Sequence, residues 1–88
     1  MKRQHWVCCY DIRDIKRLAK VHQLLAMQGI ALNYSVFYLL VTEQQLAKLQ
    51  EKMIKLVNIQ DDVRFYACTA WQDAQMLGQA LQDEVSFV

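Results

Sequence analysis

A short apolar run near the amino terminus, Trp-Val-Cys-Cys-Tyr-Asp-Ile at positions 6–12, most constrains how this chain can fold. Apolar runs of this length with aromatic and β-branched members are typical of buried strands. We therefore predict a strand over about His5–Tyr10 and a turn out of it over Asp11–Arg13. Asp11 then stands where a central strand leaves the core, which makes its carboxylate the first candidate functional group.

An amphipathic helix is predicted directly after this turn. Asp14 can accept hydrogen bonds from the free amides of a first helical turn, so we expect it to be the N-cap. We expect Gly29 to end the helix as a left-handed cap after Gln28. A helical wheel places one apolar face of the helix inward, namely Ile15, Leu18, Ala19, His22, Leu25 and Ala26.

The middle of the chain is predicted to form one or two strands and a second helix. Residues 30–41 favour β-structure, either as one long strand or as two short strands with a tight reversal at Asn33–Ser35. Thr42 and Gln45 have the spacing of a capping box, which marks the start of a helix. The residues expected to face inward on that helix are Leu46, Leu49, Met53, Ile54, Leu56 and Val57.

The pattern weakens toward the carboxyl end. Val63–Cys68 alternates well enough to predict another strand, with Val63 and Phe65 on one side and Arg64 and Tyr66 on the other. Residues 70–83 could be helical or extended, and residues 84–88 could add a terminal strand.

The element order predicts a ferredoxin-like α+β sandwich of βαββαβ type. Two helices would cover one face of an antiparallel sheet, and we expect the first and last strands to be the central ones. The other face also needs cover, so we expect a homodimer through the sheet face. We assign residues 1–78 to this domain and residues 79–88 to a C-terminal extension.

Size and composition favour one globular domain in a reducing compartment. The chain has 88 residues, 55% of them hydrophobic, and no proline. No apolar run approaches the ~18 residues of a membrane span, and Lys2 and Arg3 precede too short an apolar stretch for a signal peptide. The three cysteines lack CxxC spacing. We expect a cytoplasmic protein with no membrane partner.

The net charge of +1 conceals an uneven distribution. Residues 1–28 include six basic and two acidic side chains, whereas residues 61–88 include one basic and five acidic. The basic residues Arg13, Lys16, Arg17 and Lys20 lie opposite the predicted inward face of the first helix. Such a row is usually only a solvated surface, but Arg and Lys at this spacing can also follow a phosphate backbone.

Several segments, in this order and spacing, make the chain resemble the small CRISPR-associated endonuclease family, whose members form the smaller subunit of the spacer-acquisition machinery. The resemblance runs from about Val7 to Gly78. The segments that support it are Tyr10-Asp11-Ile12, Asp14 with Lys16-Arg17, Tyr34-Ser35-Val36-Phe37, Thr42-Glu43 and Val63-Arg64-Phe65-Tyr66.

The resemblance implies a homodimer in which the C-terminal segment is swapped onto the partner's sheet. It implies that Asp11 is the catalytic residue and metal ligand, and that it meets its symmetry mate to hold a divalent cation, usually Mg²⁺. Tyr10, Ser35 and Phe37 would support that site. Arg13, Lys16, Arg17 and Lys20 would contact DNA or RNA, and the larger CRISPR integrase subunit is the implied protein partner.

Two classes of function stay open from the sequence. The first is a subunit of CRISPR adaptation with a Mg²⁺-dependent phosphodiesterase site at its dimer interface, in which a scaffold role could dominate over cleavage. The alternative is a non-catalytic ferredoxin-like regulatory or assembly module that binds a small ligand or a protein partner.

Overall fold

The computed structural model describes residues 2–85, with side chains to residue 81, as an α+β domain of four strands and three helices. The predicted turn at Asn33–Ser35 is present as a two-residue reversal at positions 34 and 35, so the long β-segment is two strands. The elements in chain order are β1 (Arg3–Asp11), α1 (Ile15–Gln28), β2 (Gly29–Asn33), β3 (Val36–Thr42), α2 (Glu43–Leu56), β4 (Asp62–Cys68) and α3 (Trp71–Val85).

The four strands form one antiparallel sheet in the order β2-β3-β1-β4. This is the ferredoxin-like arrangement that the element order predicts. The expectation that the first and last strands are central was wrong for the last one. β1 and β3 are central, because the connection through α2 places β4 beside β1 at an edge of the sheet.

Helices cover both faces of the sheet, so the core has two parts. The larger part lies under α1 and α2 and includes Phe37, Leu39 and Leu49. The smaller part lies under α3, where Ala74 and Leu81 pack on strand residues such as Val7 and Tyr38. We expected a second copy of the chain to cover this face; within the described residues, α3 of the same chain covers it.

The first helix turns a different face to the sheet than the wheel predicted. Val21 and Leu25 are fully buried, whereas Ile15 is 80% exposed. Leu18 packs against the core, but Ala19, His22 and Ala26 are exposed. Leu18 and Leu25 belong to two overlapping apolar stripes on this helix. The stripe that contains Val21 is the one that packs on the sheet.

The second helix follows its prediction except at Ile54. Leu46, Leu49 and Met53 are buried and Leu56 and Val57 are partly buried. Ile54 is 74% exposed, because it lies one position beyond Met53 and points away from the sheet.

Both predicted N-caps are present. Asp14 accepts a hydrogen bond from the Arg17 backbone amide at 2.9 Å, so Asp14 and not Asp11 caps α1. Thr42 and Gln45 form a reciprocal capping box, with bonds of 2.9 and 3.2 Å. Each cap satisfies amide donors that a helix start leaves without partners.

Gly29 does not have the left-handed conformation that we expected. Its φ of −150° and ψ of −167° are extended, and the residue begins β2. A Cβ atom there would lie 2.2 Å from the Tyr38 carbonyl oxygen and 2.6 Å from Leu39 Cδ2. Glycine is therefore needed for the close approach of β2 to β3 and not for a positive φ.

The carboxyl end of the described chain is helical. α3 crosses the position between Gly78 and Gln79 where we begin the C-terminal extension, and that division remains a prediction. Residues 84 and 85 belong to α3 and not to a strand, and residues 86–88 of the expected terminal strand lie outside the described residues. Between residues 2 and 85, no helix has both the length and the apolar character needed to cross a membrane.

Candidate functional site

Asp11 is the last residue of β1 and is exposed. It is the direct partner of Asp62 in the antiparallel pairing of β1 with β4. Residues opposite each other in such a pair have their Cβ atoms about 4.5–5.5 Å apart and point to the same face. The structure therefore places a second carboxylate beside Asp11, at the end of the sheet where β1 leaves the core.

The two carboxylates differ in their bonding. Asp62 forms an ion pair with Arg64, with Oδ2 3.1 Å from Nη2 and Oδ1 3.2 Å from Nε. Hydrogen bonding to Tyr66 and then to Asp62 raises the pKa of Arg64, which keeps its charge at all ordinary pH values. The Asp11 carboxylate makes no hydrogen bond or ion pair with any described side chain or backbone group. Of these two acids, Asp11 is therefore the one whose carboxylate is free to bind a ligand.

Tyr10 precedes Asp11 in β1, and Ser35 and Phe37 both contact Tyr10, whereas their role in supporting a site at Asp11 stays a prediction. The Tyr10 backbone amide donates to the Ser35 carbonyl at 3.1 Å, which fixes the β2–β3 turn against the end of β1. The rings of Tyr10 and Phe37 pack edge to face, with centroids 6.3 Å apart. Phe37 is 1% exposed and belongs to the core. Tyr10 and Ser35 therefore fix the end of β1, and Phe37 packs beneath them.

Burial, aided by Cys8 and Tyr34, raises the pKa of Tyr10 to about 12. The Tyr10 hydroxyl therefore keeps its proton near neutral pH, where it can donate a hydrogen bond but cannot act as a base. It lies 3.2 Å from His22 Nδ1 and donates to the Tyr34 carbonyl at 3.4 Å. Tyr10 thus links α1 to the β2–β3 turn beside Asp11.

Three of the four predicted basic contacts are exposed and form no ion pair with the described acids. Arg13, Lys16 and Lys20 are exposed, and α1 includes no acidic residue along its length. Their positive charge is not neutralised within the helix, so this face can attract phosphate groups. The row begins two residues after Asp11 in the sequence.

Arg17 has a different environment from the other three. Its Nε and Nη2 donate to the two carboxylate oxygens of Asp61 at 2.9 and 3.1 Å. The Asp61 side chain is only 2% exposed and also accepts from the Asn58 backbone amide at 2.8 Å. Hydrogen bonds from Arg17, and next from Asn58, lower the pKa of Asp61. Arg17 therefore joins α1 to the loop before β4.

Sequence reasoning missed the roles of Asp61, Asp62 and Arg64: it gave no role to the two acids and placed Arg64 only on one side of an alternating strand. One signal was available. An antiparallel neighbour of β1 must begin beside the end of β1, so acids at the start of the last strand had to lie near Asp11. The strand order was needed to use that signal, and it was only partly predicted.

Comparison with known proteins shows the family. The sequence profile described as CRISPR associated protein Cas2 matches residues 4–76. The chain belongs to this family. A relative from Thermodesulfovibrio yellowstonii, named CRISPR-associated endoribonuclease Cas2 2, is 37% identical over 65 residues, which cover 73% of this chain and 71% of the relative.

Solved Cas2 structures and their neighbours share the fold. A hypothetical protein TT1823 from Thermus thermophilus superposes with a TM-score of 0.74 and 29% identity, covering 77% of this chain and 84% of that one. A chain of a partial Cas6-RT-Cas1–Cas2 complex superposes with a TM-score of 0.69 and 25% identity, covering 76% of this chain and 75% of that chain. These likenesses confirm the ferredoxin-like fold and the family resemblance.

Proposed function

We propose that this chain is a subunit of CRISPR adaptation that binds nucleic acid as a homodimer and acts with the larger integrase subunit in spacer acquisition. We further propose a metal-dependent phosphodiesterase site at Asp11. Membership of the Cas2 family supports both parts, because curated relatives are named endoribonucleases. The likeness to a chain in a complex that includes Cas1 supports the integrase partner. The regulatory-module alternative is not favoured by these relatives.

The observation that most supports the phosphodiesterase site is that the Asp11 carboxylate has no bonding partner among the described residues. An exposed acid can be occupied by capping a helix or by pairing with a basic side chain. Asp14 already caps α1, and Arg64 already pairs with Asp62. Asp11 therefore remains available, at a fixed position at the end of β1, which is a central strand of the sheet.

The residues at this edge suit a hydrated hard cation. Mg²⁺ is usually bound in proteins through one or two carboxylates while it keeps several water molecules. Asp11 would hold the cation, with Asp62 close enough to contribute. No group of three or more His, Cys, Asp or Glu side chains able to hold a metal occurs among the described residues. When bound, such a cation stabilises the negative charge that develops on a phosphoryl group.

A second chain would complete the site. Among the described residues, one protomer offers a single free carboxylate at this end of the sheet, and a two-fold axis near Asp11 would bring its symmetry mate to the same cation. The homodimer is thus part of the functional proposal. It also increases the buried surface of a chain of 88 residues, for which burial is otherwise limited.

The exposed residues Arg13, Lys16 and Lys20 would bind the phosphate backbone. Arg17 would act indirectly, because its guanidinium is bound to Asp61 and holds α1 in place. Contacts of this kind position nucleic acid without reading its sequence. We place the protein in the cytoplasm, where its nucleic-acid substrates and three cysteines fit a reducing compartment.

A gel-mobility assay tests the proposal. Purified chain is incubated with duplex DNA, alone and with the larger integrase subunit, at low and at physiological salt. The proposal predicts a retarded complex that is strengthened by the integrase subunit and weakened by salt. Absence of a complex under both conditions would instead favour the regulatory module.

A further inference from the structure

A cleft of about 280 Å³ lies between α1 and the β2–β3 turn, and the site described above does not use it. Tyr10, Leu18, Ala19, His22 and Tyr34 line it. Ligand pockets for drug-sized molecules have volumes of about 300–1,000 Å³, so this cleft suits a smaller group. Its walls combine apolar surface with two aromatic rings and an imidazole.

Tyr34 is the outermost wall of the cleft. Its side chain is at the tip of the β2–β3 turn and the residue is 82% exposed, which is unusual for a large aromatic residue. The backbone that holds it is well fixed. The Ser35 amide donates to the Asn33 side chain at 3.1 Å, and Tyr10 donates to the Tyr34 carbonyl. The turn therefore presents the ring from a fixed backbone.

His22 forms the opposite wall, on α1. Its ring packs against Phe37 with centroids 5.2 Å apart, and its Nδ1 lies 3.2 Å from the Tyr10 hydroxyl. Tyr10 has one proton and gives it to the Tyr34 carbonyl. When both bonds form, His22 Nδ1–H therefore donates to the Tyr10 oxygen.

Two basic residues of α1 lie close in sequence to the cleft residue Ala19. Lys20 follows Ala19 directly, and Lys16 precedes it by three positions, about one turn along the same helix. Both lysines are exposed, and α1 has no acid to oppose them. Ile15 adds exposed apolar surface next to Lys16. The surroundings are therefore positive, and a ligand that is planar and apolar in one part and anionic in another complements them.

We propose that this cleft binds an unpaired nucleobase, with the base against Tyr34 and His22 and its backbone phosphates near Lys16 and Lys20. This inference rests on the proposed nucleic-acid binding and adds to it a subsite for one unpaired base between α1 and the β2–β3 turn. Aromatic rings beside a basic groove are the general means of binding single strands, because every base has a face that can stack.

A nucleobase fits these observations better than an apolar peptide does. The cleft is too small for several side chains, and the positive flank favours an anionic chain over an apolar helix. In a duplex, by contrast, bases are already stacked on one another and cannot enter. Single strands should therefore depend on the cleft, and duplexes should not.

The test compares binding of a labelled single-stranded oligonucleotide and of its duplex, by fluorescence anisotropy. The variants are Tyr34→Ala, Tyr34→Phe and, as a control for loss of an exposed apolar side chain elsewhere, Ile59→Ala, where the native residue is 98% exposed. Circular dichroism checks that each variant folds. We expect Tyr34→Ala to weaken single-strand binding about tenfold and to leave duplex binding unchanged. Tyr34→Phe and Ile59→Ala should bind like the native chain.

An oligonucleotide whose central nucleotides lack bases identifies the group that the cleft binds. The native chain should bind it about tenfold more weakly than the intact strand, and Tyr34→Ala should bind both equally. Three results would overturn the inference while leaving nucleic-acid binding intact: unchanged single-strand binding by Tyr34→Ala, an equal loss for duplex, or a loss only in association with the integrase subunit. Failure of the native chain to bind any nucleic acid would overturn the proposed function and this inference together.

Discussion

Arg17 on α1 binds the Asp61 carboxylate through two parallel N–H···O bonds of 2.9 and 3.1 Å, and the Asp61 side chain is almost completely buried. The pair connects the first helix to the loop before β4 across 44 positions of sequence. Bidentate bonds between guanidinium and carboxylate are among the stronger polar contacts in proteins. This pair holds together the two segments that flank the end of β1.

We predict that Arg17→Lys lowers the melting temperature of the chain almost as much as Arg17→Ala does. A lysine keeps the positive charge but cannot make both bonds, so the Asp61 carboxylate would lose a partner in a buried position. Thermal unfolding followed by circular dichroism measures the effect. Arg13→Ala is the matched control, because Arg13 is exposed and has no such partner in the described part of the chain. Equal melting of Arg17→Lys and the native chain would contradict the structural role.

The stability of the fold should depend on pH through Asp61. Arg17 and the Asn58 amide lower the pKa of Asp61 in the folded state. The ionised carboxylate therefore stabilises the fold fully above the ordinary carboxyl pKa of about 3.9. This stabilisation is lost as the pH falls through the lower pKa of the folded state. The difference in unfolding free energy between the native chain and Asp61→Asn should stay constant from pH 7 to about pH 5 and shrink below about pH 4. Urea unfolding at a series of pH values measures it. A difference that already disappears at pH 6 would rule out this cause.

Core packing of α1 can be tested at two of its apolar positions. Leu25→Ala should destabilise the chain by about 2–5 kcal/mol, because Leu25 is fully buried. Ile15→Ala should change stability by about 0.5 kcal/mol or less, because Ile15 is 80% exposed. Denaturant unfolding of both variants gives the two values. The reverse order would mean that the helix turns the other apolar stripe to the sheet.

The two glycines should respond differently to a methyl group. Gly29→Ala would place Cβ against the rigid backbone at Tyr38, so we expect a loss of about 1–3 kcal/mol. Gly78→Ala would place Cβ 2.8 Å from Leu32 Cδ1, a side-chain end that can move, and would gain about 1 kcal/mol of helix propensity. We expect a net change near zero there. Chemical unfolding of the two variants in parallel measures the contrast, and similar losses at both positions would refute it.

Local signals in the sequence were enough to predict most of the elements. The capping groups at Asp14 and Thr42, the reversal after Asn33 and the alternation of β4 each depend on neighbours within a few positions. The order of these elements predicted the fold, and the family resemblance added the importance of Asp11. The structure confirms the fold and leaves Asp11 exposed at the strand end.

Features that depend on distant parts of the chain were not predictable. On α1, the stripe with Val21 packs on the sheet and the stripe with Ile15 does not. A helical wheel alone cannot show which of the two will be buried. The close approach at Gly29 depends on Tyr38 in another strand. Arg17 looked like its basic neighbours in sequence, and only the position of Asp61 separates it from them. Asp62 likewise became relevant only once β4 was seen beside β1.

The central claim is that Asp11 works as half of a site shared by two chains. The most direct test measures Mg²⁺-dependent cleavage by dimers assembled by refolding native and Asp11→Asn chains together in different proportions. Asp11→Asn alone should lose on the order of a hundredfold or more in cleavage rate while sedimentation still shows a dimer. Glu51→Gln, which changes an exposed acid on α2, serves as the control. Because only dimers of two native chains hold both carboxylates, activity should fall as the square of the native fraction; a linear fall, or full cleavage by pure Asp11→Asn, would contradict the claim.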